Sequence, residues 1–350
     1  MGFILRAGVL FTALLLLPFA SCIPASVRRL TGTVTYGGIN IAGFEFGCDD
    51  SGNCDPAKAT PPGQSGIDQM NHFTSKGLNA FRLPVSWQYL TSSIGSPVDA
   101  SRIAAYNKLV QGCLNSGAEM CIIDLHNYAR WNGKTIGQSA PSGPTDEQFA
   151  ELWRQIAAKY KTQSRVAFGI MNEPHNLNME TWVNTAQAAV TAIRKTGATS
   201  NIILLPGTNH QAAGGFGKRS GGLAAVKNAD GSKTNLIFDV HQYLDSDSTG
   251  THASCTTNGI QGSFAPLTAW ARKQKRQVFL SEIGGGSNDS SCIQYLSQTL
   301  SYLNDNSDVF LGWTTWGAGS FKQSYVLSET PNGDSDVPLV AQCIIPSFVK

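Results

Sequence analysis

The sequence predicts an α/β fold of the (β/α)8 class, a TIM barrel that forms a single domain, and three observations lead to this prediction. The chain has 350 residues, of which 41% are hydrophobic, so it is long enough to bury a large core. Eight short apolar, β-prone runs recur, and their starts are separated by roughly 30 to 50 residues. Helical patterns lie between most of these runs. Repeated strand-helix units without a change in composition indicate a barrel.

The eight runs are the predicted barrel strands. They are near-continuous in apolar residues and lack polar alternation, as is typical of strands that are covered on both faces. In chain order they are Gly38–Gly43, Asn79–Leu83, Met120–Leu125, Val166–Met171, Ile202–Leu205, Leu236–Val240, Val278–Leu280 and Val309–Trp313.

Three segments between the runs carry clear helical periodicity. Residues Asp146–Tyr160 place apolar side chains at helical spacing, and Met179–Arg194 and Ser291–Leu303 behave in the same way. Gly197 is a predicted helix stop. A doubly wound sheet is the alternative fold, but no Gly-x-Gly-x-x-Gly motif follows the first strand. We find no Ser/Thr/Pro-rich linker, so we expect no appended binding module.

The amino-terminal residues 1–22 have the pattern of a secretory signal peptide. Arg6 precedes an apolar run from Val9 to Phe19, and the small residues Ala20 and Ser21 follow. The apolar run is too short to span a bilayer comfortably, and a buried first helix is the alternative. The Arg28–Arg29 pair offers a second processing point near residue 29. We therefore expect a secreted, extracellular protein whose single domain covers residues 30–350.

The charge balance limits the class of binding partner. The chain has 26 basic and 24 acidic residues and a net charge of +2, and charged residues make up only 14% of it. Nucleic-acid-binding proteins normally show a concentrated basic surplus. We therefore expect a neutral partner, with no nucleic acid and no membrane.

Because a secreted protein enters an oxidising environment, we predict disulfides among the cysteines. Cys48 and Cys54 are close enough to close a local loop, as are Cys113 and Cys121, and Cys255 and Cys292 can join two neighbouring connections. Cys343 is then the candidate for the unpaired cysteine. No Cys-x-x-Cys spacing or accompanying His cluster occurs, so we predict no metal site and no cofactor. Asn288 begins an N-glycosylation acceptor sequence.

Polar residues collect at the ends of the predicted strands. Catalytic groups of a barrel lie at the carboxyl ends of its strands, where the loops begin. Polar residues at six strand ends that meet at the same end of the barrel are hard to explain by packing. The residues at these ends are Arg82, His126, Asn172 with Glu173, His241 with Tyr243, Glu282 and Trp316.

Two carboxylates at such a mouth, with aromatic side chains and a neutral partner, indicate cleavage of glycosidic bonds. One carboxylic acid protonates the leaving oxygen, and the second carboxylate attacks the anomeric carbon or activates water. Aromatic rings offer flat faces for sugar rings, although each aromatic taken alone is more often part of the core. The candidates are Trp87, Trp131, Trp316 and Tyr128, whereas Trp153 and Trp182 lie in helical patterns and belong to the core.

From about Tyr36 to Cys343 the sequence resembles glycoside hydrolase family 5, and most closely its fungal-type endo-β-1,4-glucanases. The strongest signal is the segment Ile170-Met171-Asn172-Glu173-Pro174-His175 after a predicted strand. The resemblance is also carried by residues 39–44 (INIAGF), 81–85 (FRLPV), 124–131 (DLHNYARW), 239–247 (DVHQYLDSD) and 281–286 (SEIGGG).

The resemblance implies a retaining double displacement. Glu173 would be the acid/base and Glu282 the nucleophile, and repulsion from Glu282 would raise the pKa of Glu173 and keep it protonated. Asn172 would hold the sugar 2-hydroxyl group, and Arg82 and Tyr243 would lie beside Glu282. The remaining candidates for the sugar-binding site are His126, His241, Trp316, Trp131 and Tyr128.

Two positions depart from the family pattern. His210 stands where such enzymes usually have Trp or Tyr, which predicts a weaker sugar platform. Close relatives pair a cysteine of the seventh helix with the carboxyl-terminal one, but Ser297 stands at that place here, so Cys343 has no partner.

The expected partner is a β-1,4-glucan that is hydrolysed at internal bonds by a monomeric enzyme. A family 5 enzyme that acts on mannan, xylan or xyloglucan would use the same catalytic residues. A non-catalytic carbohydrate-binding barrel is a further alternative.

Overall fold

Eight parallel strands close into a barrel in the computed structural model, which describes residues 1–2 and 32–349. Each strand pairs with its neighbours along the chain, and the last strand pairs with the first. This confirms the predicted (β/α)8 class, and the doubly wound alternative is wrong. The strands are β1 (Tyr36–Ala42), β2 (Ala80–Val85), β3 (Met120–Leu125), β4 (Val166–Gly169), β5 (Ile203–Pro206), β6 (Leu236–His241), β7 (Val278–Glu282) and β8 (Phe310–Gly319).

The interior of the barrel changes from apolar to polar along the strands. Side chains alternate across a strand, so every second residue points inward. Ala80 belongs to the small apolar cluster inside the barrel, and Arg82, two residues further along β2, is fully buried. Met120 and Ile122 of β3 are followed in the same way by the buried Asp124. The amino-terminal half of the barrel is therefore packed like a core, and the carboxyl-terminal half holds buried charges.

Helices cover the outside of the barrel, and several of them begin at a residue whose side chain caps the first turn. The Thr145 hydroxyl group accepts a hydrogen bond from Gln148 N, and the Gln148 side chain returns one to Thr145 N, which forms a capping box. Asn178 and Asp289 cap two other helices with their side chains. The helices are α1 (Gly63–Ser75), α2 (Trp87–Leu90), α3 (Ala100–Asn115), α4 (Asp146–Tyr160), α5 (Met179–Lys195), α6 (Phe216–Arg219), α7 (Ala265–Gln274) and α8 (Ser290–Asp305).

The three helices that the sequence predicted are present as α4, α5 and α8, and α5 ends before Gly197 as expected. Two connections differ from the regular strand-helix repeat. Between β5 and β6 the chain forms only the short α6 and a 3-10 turn at Gly221–Ala225. After β8, the described residues contain only the short π-helical turn Val340–Ile344. Five glycines between residues 214 and 222 explain the first exception, because glycine disfavours a long helix.

Three disulfides lie where the sequence placed them: Cys48–Cys54, Cys113–Cys121 and Cys255–Cys292. Gly285 packs so closely under the third that a Cβ atom there would be 2.5 Å from both of its sulfur atoms. Cys343 is unpaired and buried, as predicted. Burial raises the pKa of the Cys343 thiol to about 11, although hydrogen bonding with Ser297 opposes the shift.

The predicted signal peptide at residues 1–22 lies almost entirely outside the described residues, and so does the dibasic pair at 28–29. Among the residues that are described, no helix is both long and apolar enough to span a membrane. Asn288 is exposed, and its glycosylation stays a prediction.

Glu329 is a buried carboxyl group that makes the stability of the fold depend on pH. Burial raises its pKa to about 8, although the Thr315 hydroxyl group donates a hydrogen bond to Oε2. The pKa of Glu329 in the folded state therefore lies above its unfolded value, so the folded state binds more protons between about pH 4.5 and pH 8. We expect the free energy of unfolding to fall by a few kcal/mol as the pH rises through this window.

Thermal unfolding of the wild type and of Glu329→Gln at pH 5 and pH 8 checks this expectation. The amide stays neutral and can still accept from Thr315, so the variant should lose much less stability between the two pH values. An equal fall in both proteins would contradict the assignment to Glu329.

Candidate active site

The predicted site residues meet at the carboxyl end of the barrel. Arg82 lies in β2, His241 ends β6 and Glu282 ends β7. Asn172 and Glu173 follow β4 directly. Because parallel strands open at the same end of a barrel, residues that are up to 200 positions apart in the chain become neighbours here.

Glu282 is held by two donors, one on each oxygen. The Nη1 atom of Arg82 donates to Oε1 at 2.5 Å, and the hydroxyl group of Tyr243 donates to Oε2 at 2.9 Å. Glu282 is 4% exposed and Arg82 is fully buried, so water screens this ion pair very little. The side chain of Glu282 is thereby held in one orientation at the base of the mouth.

Arg82 is the centre of a buried polar network. Its guanidinium also donates to Asn40 at 2.9 Å and to Asn172 at 2.6 Å, and Nη2 lies 3.0 Å from a carboxylate oxygen of Asp124. Burial alone would lower the pKa of Arg82, but the charges of Asp124 and Glu282 outweigh it and raise the pKa. Arg82 is therefore a permanent positive charge that orients Glu282 and Asn172 together.

Glu173 lies between two imidazole rings. The Nδ1 atom of His241 is 2.7 Å from Oε1, and the Nδ1 atom of His210 is 3.3 Å from Oε2. The backbone of Glu173 has a φ of 44°, in the left-handed region that disfavours residues with a side chain. The Gln211 side chain stabilises this conformation, because its Oε1 accepts a 2.6 Å hydrogen bond from Glu173 N.

His210 and His241 determine the direction in which the pKa of Glu173 is shifted in the free enzyme. Burial raises the pKa of Glu173, but the hydrogen bonds and charges of His210 and His241 outweigh burial and lower the pKa below that of an ordinary glutamate. Burial lowers the pKa of His241, and the neighbouring Glu282 and Glu173 outweigh that effect and raise it. The direction expected from the sequence, a raised pKa of Glu173 caused by Glu282, is therefore wrong for the empty site. No sequence pattern indicated that two imidazoles contact this carboxylate.

Glu173 and Glu282 are close enough to act on one bond. A carboxylate oxygen of Glu173, one of Glu282 and a nitrogen of His241 all lie within 4.8 Å of one another. Such a set can in principle hold a metal ion. Here Arg82 and Tyr243 already donate to both oxygens of Glu282, and a guanidinium contact disfavours a cation at the same oxygen. The arrangement suits proton transfer and nucleophilic attack better than metal binding.

Two cavities open at the mouth of the barrel, and Tyr128 lines both. The first, which we call the His210 cavity, has a volume of about 470 Å³ and is lined by Glu173, Asn209, His210, Tyr243, Asp247 and their neighbours. The second, which we call the Trp316 cavity, has a volume of about 390 Å³ and is lined largely by aromatic rings: Trp316, Phe46, Phe321, Tyr325, His126 and Tyr128. The two cavities therefore meet at Tyr128, and Glu173 lines the first of them.

The aromatic candidates of the sequence analysis divide into two groups. Trp316 and His126 stack with 5.8 Å between ring centroids and 21° between planes, and both line the Trp316 cavity. Trp131 is 8% exposed, packs edge-on against the buried Trp87 and lines neither cavity. The structure therefore does not bring Trp131 to the cleft, because its neighbour belongs to the core.

Sequence reasoning missed several residues that hold the site. Asn40 donates to the carbonyl oxygens of Ser281 and Thr315 while it accepts from Arg82. Asp124 accepts from His126 Nδ1 at 2.9 Å. Both residues lie inside motifs that carried the family resemblance. Asn40 lies two positions before Ala42, and Asp124 lies two positions before His126. These positions within the motifs were the available signal. No pattern in the sequence pointed to the contacts of Gln211 and His210 with Glu173.

Comparisons with known proteins agree with this geometry. Residues 39–319 match the family model described as "Cellulase (glycosyl hydrolase family 5)". Endoglucanase EG-II of Hypocrea jecorina is 53% identical over 328 residues, which cover 89% of this chain and 77% of the relative. The crystal structure of Cel5A (EG2) from the same organism superposes with a TM-score of 0.86 and covers 89% of this chain and 98% of that one. XacCel5A in complex with cellopentaose is 33% identical with a TM-score of 0.80, and the match covers 90% of this chain and 99% of that one.

Proposed function

The chain belongs to glycoside hydrolase family 5 and is an endo-1,4-β-glucanase, and we propose that it cleaves its substrate by a retaining double displacement with Glu282 as nucleophile and Glu173 as acid/base. The observation that carries this proposal is the placement of the two carboxylates. Their oxygens approach within 4.8 Å, whereas inverting enzymes keep the two carboxyl groups about 6.5–9.5 Å apart to admit a water molecule.

In the first step, an oxygen of Glu282 attacks the anomeric carbon and forms a glycosyl ester. The bond from that carbon to the glycosidic oxygen breaks, and Glu173 donates a proton to the departing oxygen. Arg82 and Tyr243 support this step, because they orient the nucleophile before the substrate arrives.

In the second step, water attacks the same carbon and the ester bond to Glu282 breaks. Glu173 accepts the proton of this water and so returns to its protonated form. Each step inverts the anomeric carbon once, so the product keeps the β configuration of the substrate.

The two cavities divide the substrate between them. Glu173 lines the His210 cavity, and the acid must contact the leaving oxygen, so this cavity is the place for the leaving-group sugars. The Trp316 cavity then holds the glycone, with Trp316 as a stacking surface for the reacting ring. Asn172 accepts from Arg82 through Oδ1, which directs its Nδ2 donor toward the 2-hydroxyl group.

The described barrel supplies every residue of this proposal from one chain, which favours a monomer. Three disulfides favour an oxidising, extracellular destination. We propose accordingly that residues 1–22 direct secretion and that residues 30–350 act as one catalytic domain.

The anomeric configuration of the first product tests the mechanism. We expect ¹H NMR of a cellotetraose digest to show the newly formed reducing ends as the β anomer, so that the β share first rises above its equilibrium value and then relaxes by mutarotation. An initial excess of the α anomer would establish inversion and would contradict the role of Glu282 as nucleophile. A blank without enzyme, started from β-cellobiose, provides the mutarotation rate for comparison.

A further inference from the structure

The two histidines that contact Glu173 differ in a way that the proposed mechanism does not yet use. The side chain of His241 is 2% exposed, and its contact with Glu173 is 2.7 Å long. The side chain of His210 is 47% exposed, and its contact is 3.3 Å long. An entering ligand can therefore compete for the His210 contact, whereas the His241 contact is protected.

The backbone around His210 is arranged to bring this ring to Glu173. Asn209, His210 and Gln211 all have φ values between 54° and 57°, and His210 N donates to the Pro174 carbonyl oxygen at 3.1 Å. The carbonyl oxygen of Pro174 and the amide of Glu173 are thus both bonded to this short segment, the second through Gln211. The segment and the acid/base loop form one unit.

His175 supports the ring of His210 from the other side. The two imidazoles stack with 4.2 Å between centroids and 9° between planes. The Nε2 atom of His175 donates to the Asp50 carbonyl oxygen at 2.8 Å, which fixes the plane of the stack. A carboxylate can only accept, so the Nδ1 atom of His210 must carry the proton in its contact with Glu173.

His210 also lines the cavity that we assign to the leaving-group sugars. A sugar hydroxyl group that enters there next to Glu173 meets the half-exposed ring of His210 first. We propose that His210 is a positioning residue that holds Glu173 in the empty enzyme and releases it when a leaving-group sugar enters the His210 cavity. This inference rests on the proposed acid/base role of Glu173.

Release couples substrate binding to the protonation of Glu173. While His210 donates to it, Glu173 is stabilised as a carboxylate, in agreement with its lowered pKa. When the contact is lost, the imidazolium form of His241, which the neighbouring Glu282 and Glu173 favour, gives its Nδ1 proton to Glu173 2.7 Å away and becomes neutral, and Glu173 then donates this proton to the glycosidic oxygen. After the leaving group departs, the His210 contact returns and favours the carboxylate, which accepts a proton from water and passes it back to the neutral His241.

Other titratable and charged groups face this pair from the surrounding elements, so the test must separate His210 from them. They are Tyr128 and Arg130 after β3, His175 after β4, His241, Tyr243 and Asp247 from β6 and its loop, Glu282 from β7, and Asp50 after β1.

Two variants of His210 isolate the hydrogen bond from the ring. His210→Phe keeps a flat ring against His175 but has no donor, whereas His210→Asn places an amide donor near the position of Nδ1. The readout is the alkaline limb of kcat/KM for cellotetraose, which reports the free enzyme. We expect His210→Phe to move this limb upward by about half to one pH unit and His210→Asn to leave it within about 0.2 units of the wild type.

Two further measurements complete the test. For 2,4-dinitrophenyl β-cellobioside, whose leaving group needs no proton, the alkaline limb should be the same in all three proteins. The single-turnover rate of glycosylation at saturating cellotetraose should also have the same alkaline limb in all three, because the bound sugar has already displaced His210.

The inference is overturned if the limb of the free enzyme does not move in His210→Phe, or if it moves equally in His210→Asn. It is also overturned if the limb at saturating cellotetraose moves as far as that of the free enzyme. Failure of the underlying acid/base assignment gives a different result, since Glu173→Ala would then lose activity equally on both substrates.

Discussion

Replacing Glu282 by Gln is expected to abolish hydrolysis of every substrate, with a loss on the order of 10⁵-fold in kcat/KM. The amide keeps the shape of the side chain, its oxygen can still accept from Arg82 and its NH2 group can donate to the Tyr243 hydroxyl group, so the fold should survive. No nucleophile remains, and a better leaving group cannot compensate for that.

Replacing Glu173 by Ala should produce a different pattern. We expect cellotetraose hydrolysis to fall about 10²- to 10⁴-fold, because general acid catalysis is lost. Formation of the glycosyl ester from 2,4-dinitrophenyl β-cellobioside should be nearly preserved. Azide should then restore turnover by attacking the ester without a base, and β-cellobiosyl azide is the product to identify.

The measurements are kcat/KM on both substrates with and without azide, and unfolding temperatures to confirm the folded state. Glu151→Gln, a half-exposed glutamate of α4, is the matched control and should behave as the wild type. Equal losses on both substrates in Glu173→Ala, without rescue by azide, would reject the assignment of roles.

Replacing Arg82 by Met is expected to have the second largest effect, because it acts on stability and activity together. The change leaves Glu282 and Asp124 without their shared counter-ion in a site that excludes water. Removing one partner of a buried ion pair costs about 3–5 kcal/mol, so we expect a loss of that size in the free energy of unfolding. Activity should fall at least about 10³-fold, since Glu282 and Asn172 lose their common support.

Urea unfolding and kcat/KM at a temperature far below the unfolding midpoint measure the two effects separately. Arg82→Lys keeps the charge but cannot form the same fork of hydrogen bonds, so it should recover part of the stability and little of the activity. Arg154→Met is the surface control, because the half-exposed pair of Arg154 with Glu151 contributes at most about 1 kcal/mol. A loss in Arg82→Met no larger than in this control would contradict the network.

The sequence was sufficient to predict the barrel and the residues at its carboxyl end because both depend on local pattern. Strands covered on both faces must be apolar along their length, and Arg82 within β2, Asn172 after β4 and Glu282 at the end of β7 interrupt that rule. Cys343 was predicted to be unpaired from the single replacement at Ser297, and the structure confirms it.

Contacts that depend on loop conformation could not be predicted. Glu173 and the segment from Asn209 to Gln211 adopt left-handed backbone conformations, which nothing in their residue types requires. The direction of the Glu173 pKa was therefore wrong, since it is decided by two imidazoles that arrive from β6 and from this segment. The prediction that Trp131 lines the sugar-binding site has a different difficulty. A tryptophan near a strand end can equally pack into the core, as Trp131 does against Trp87.

The His210 cavity and the Trp316 cavity both open at the mouth and share Tyr128. If the substrate occupies both, as we propose, a long polymer lies across the mouth and is cut at internal bonds. A single cut near the middle halves the length of a molecule but creates only one new reducing end. A solution of a soluble cellulose derivative should therefore lose most of its viscosity while the concentration of reducing ends has barely risen. The first effect of the enzyme on a polysaccharide gel is thus to lower its viscosity, and the release of soluble sugar comes later.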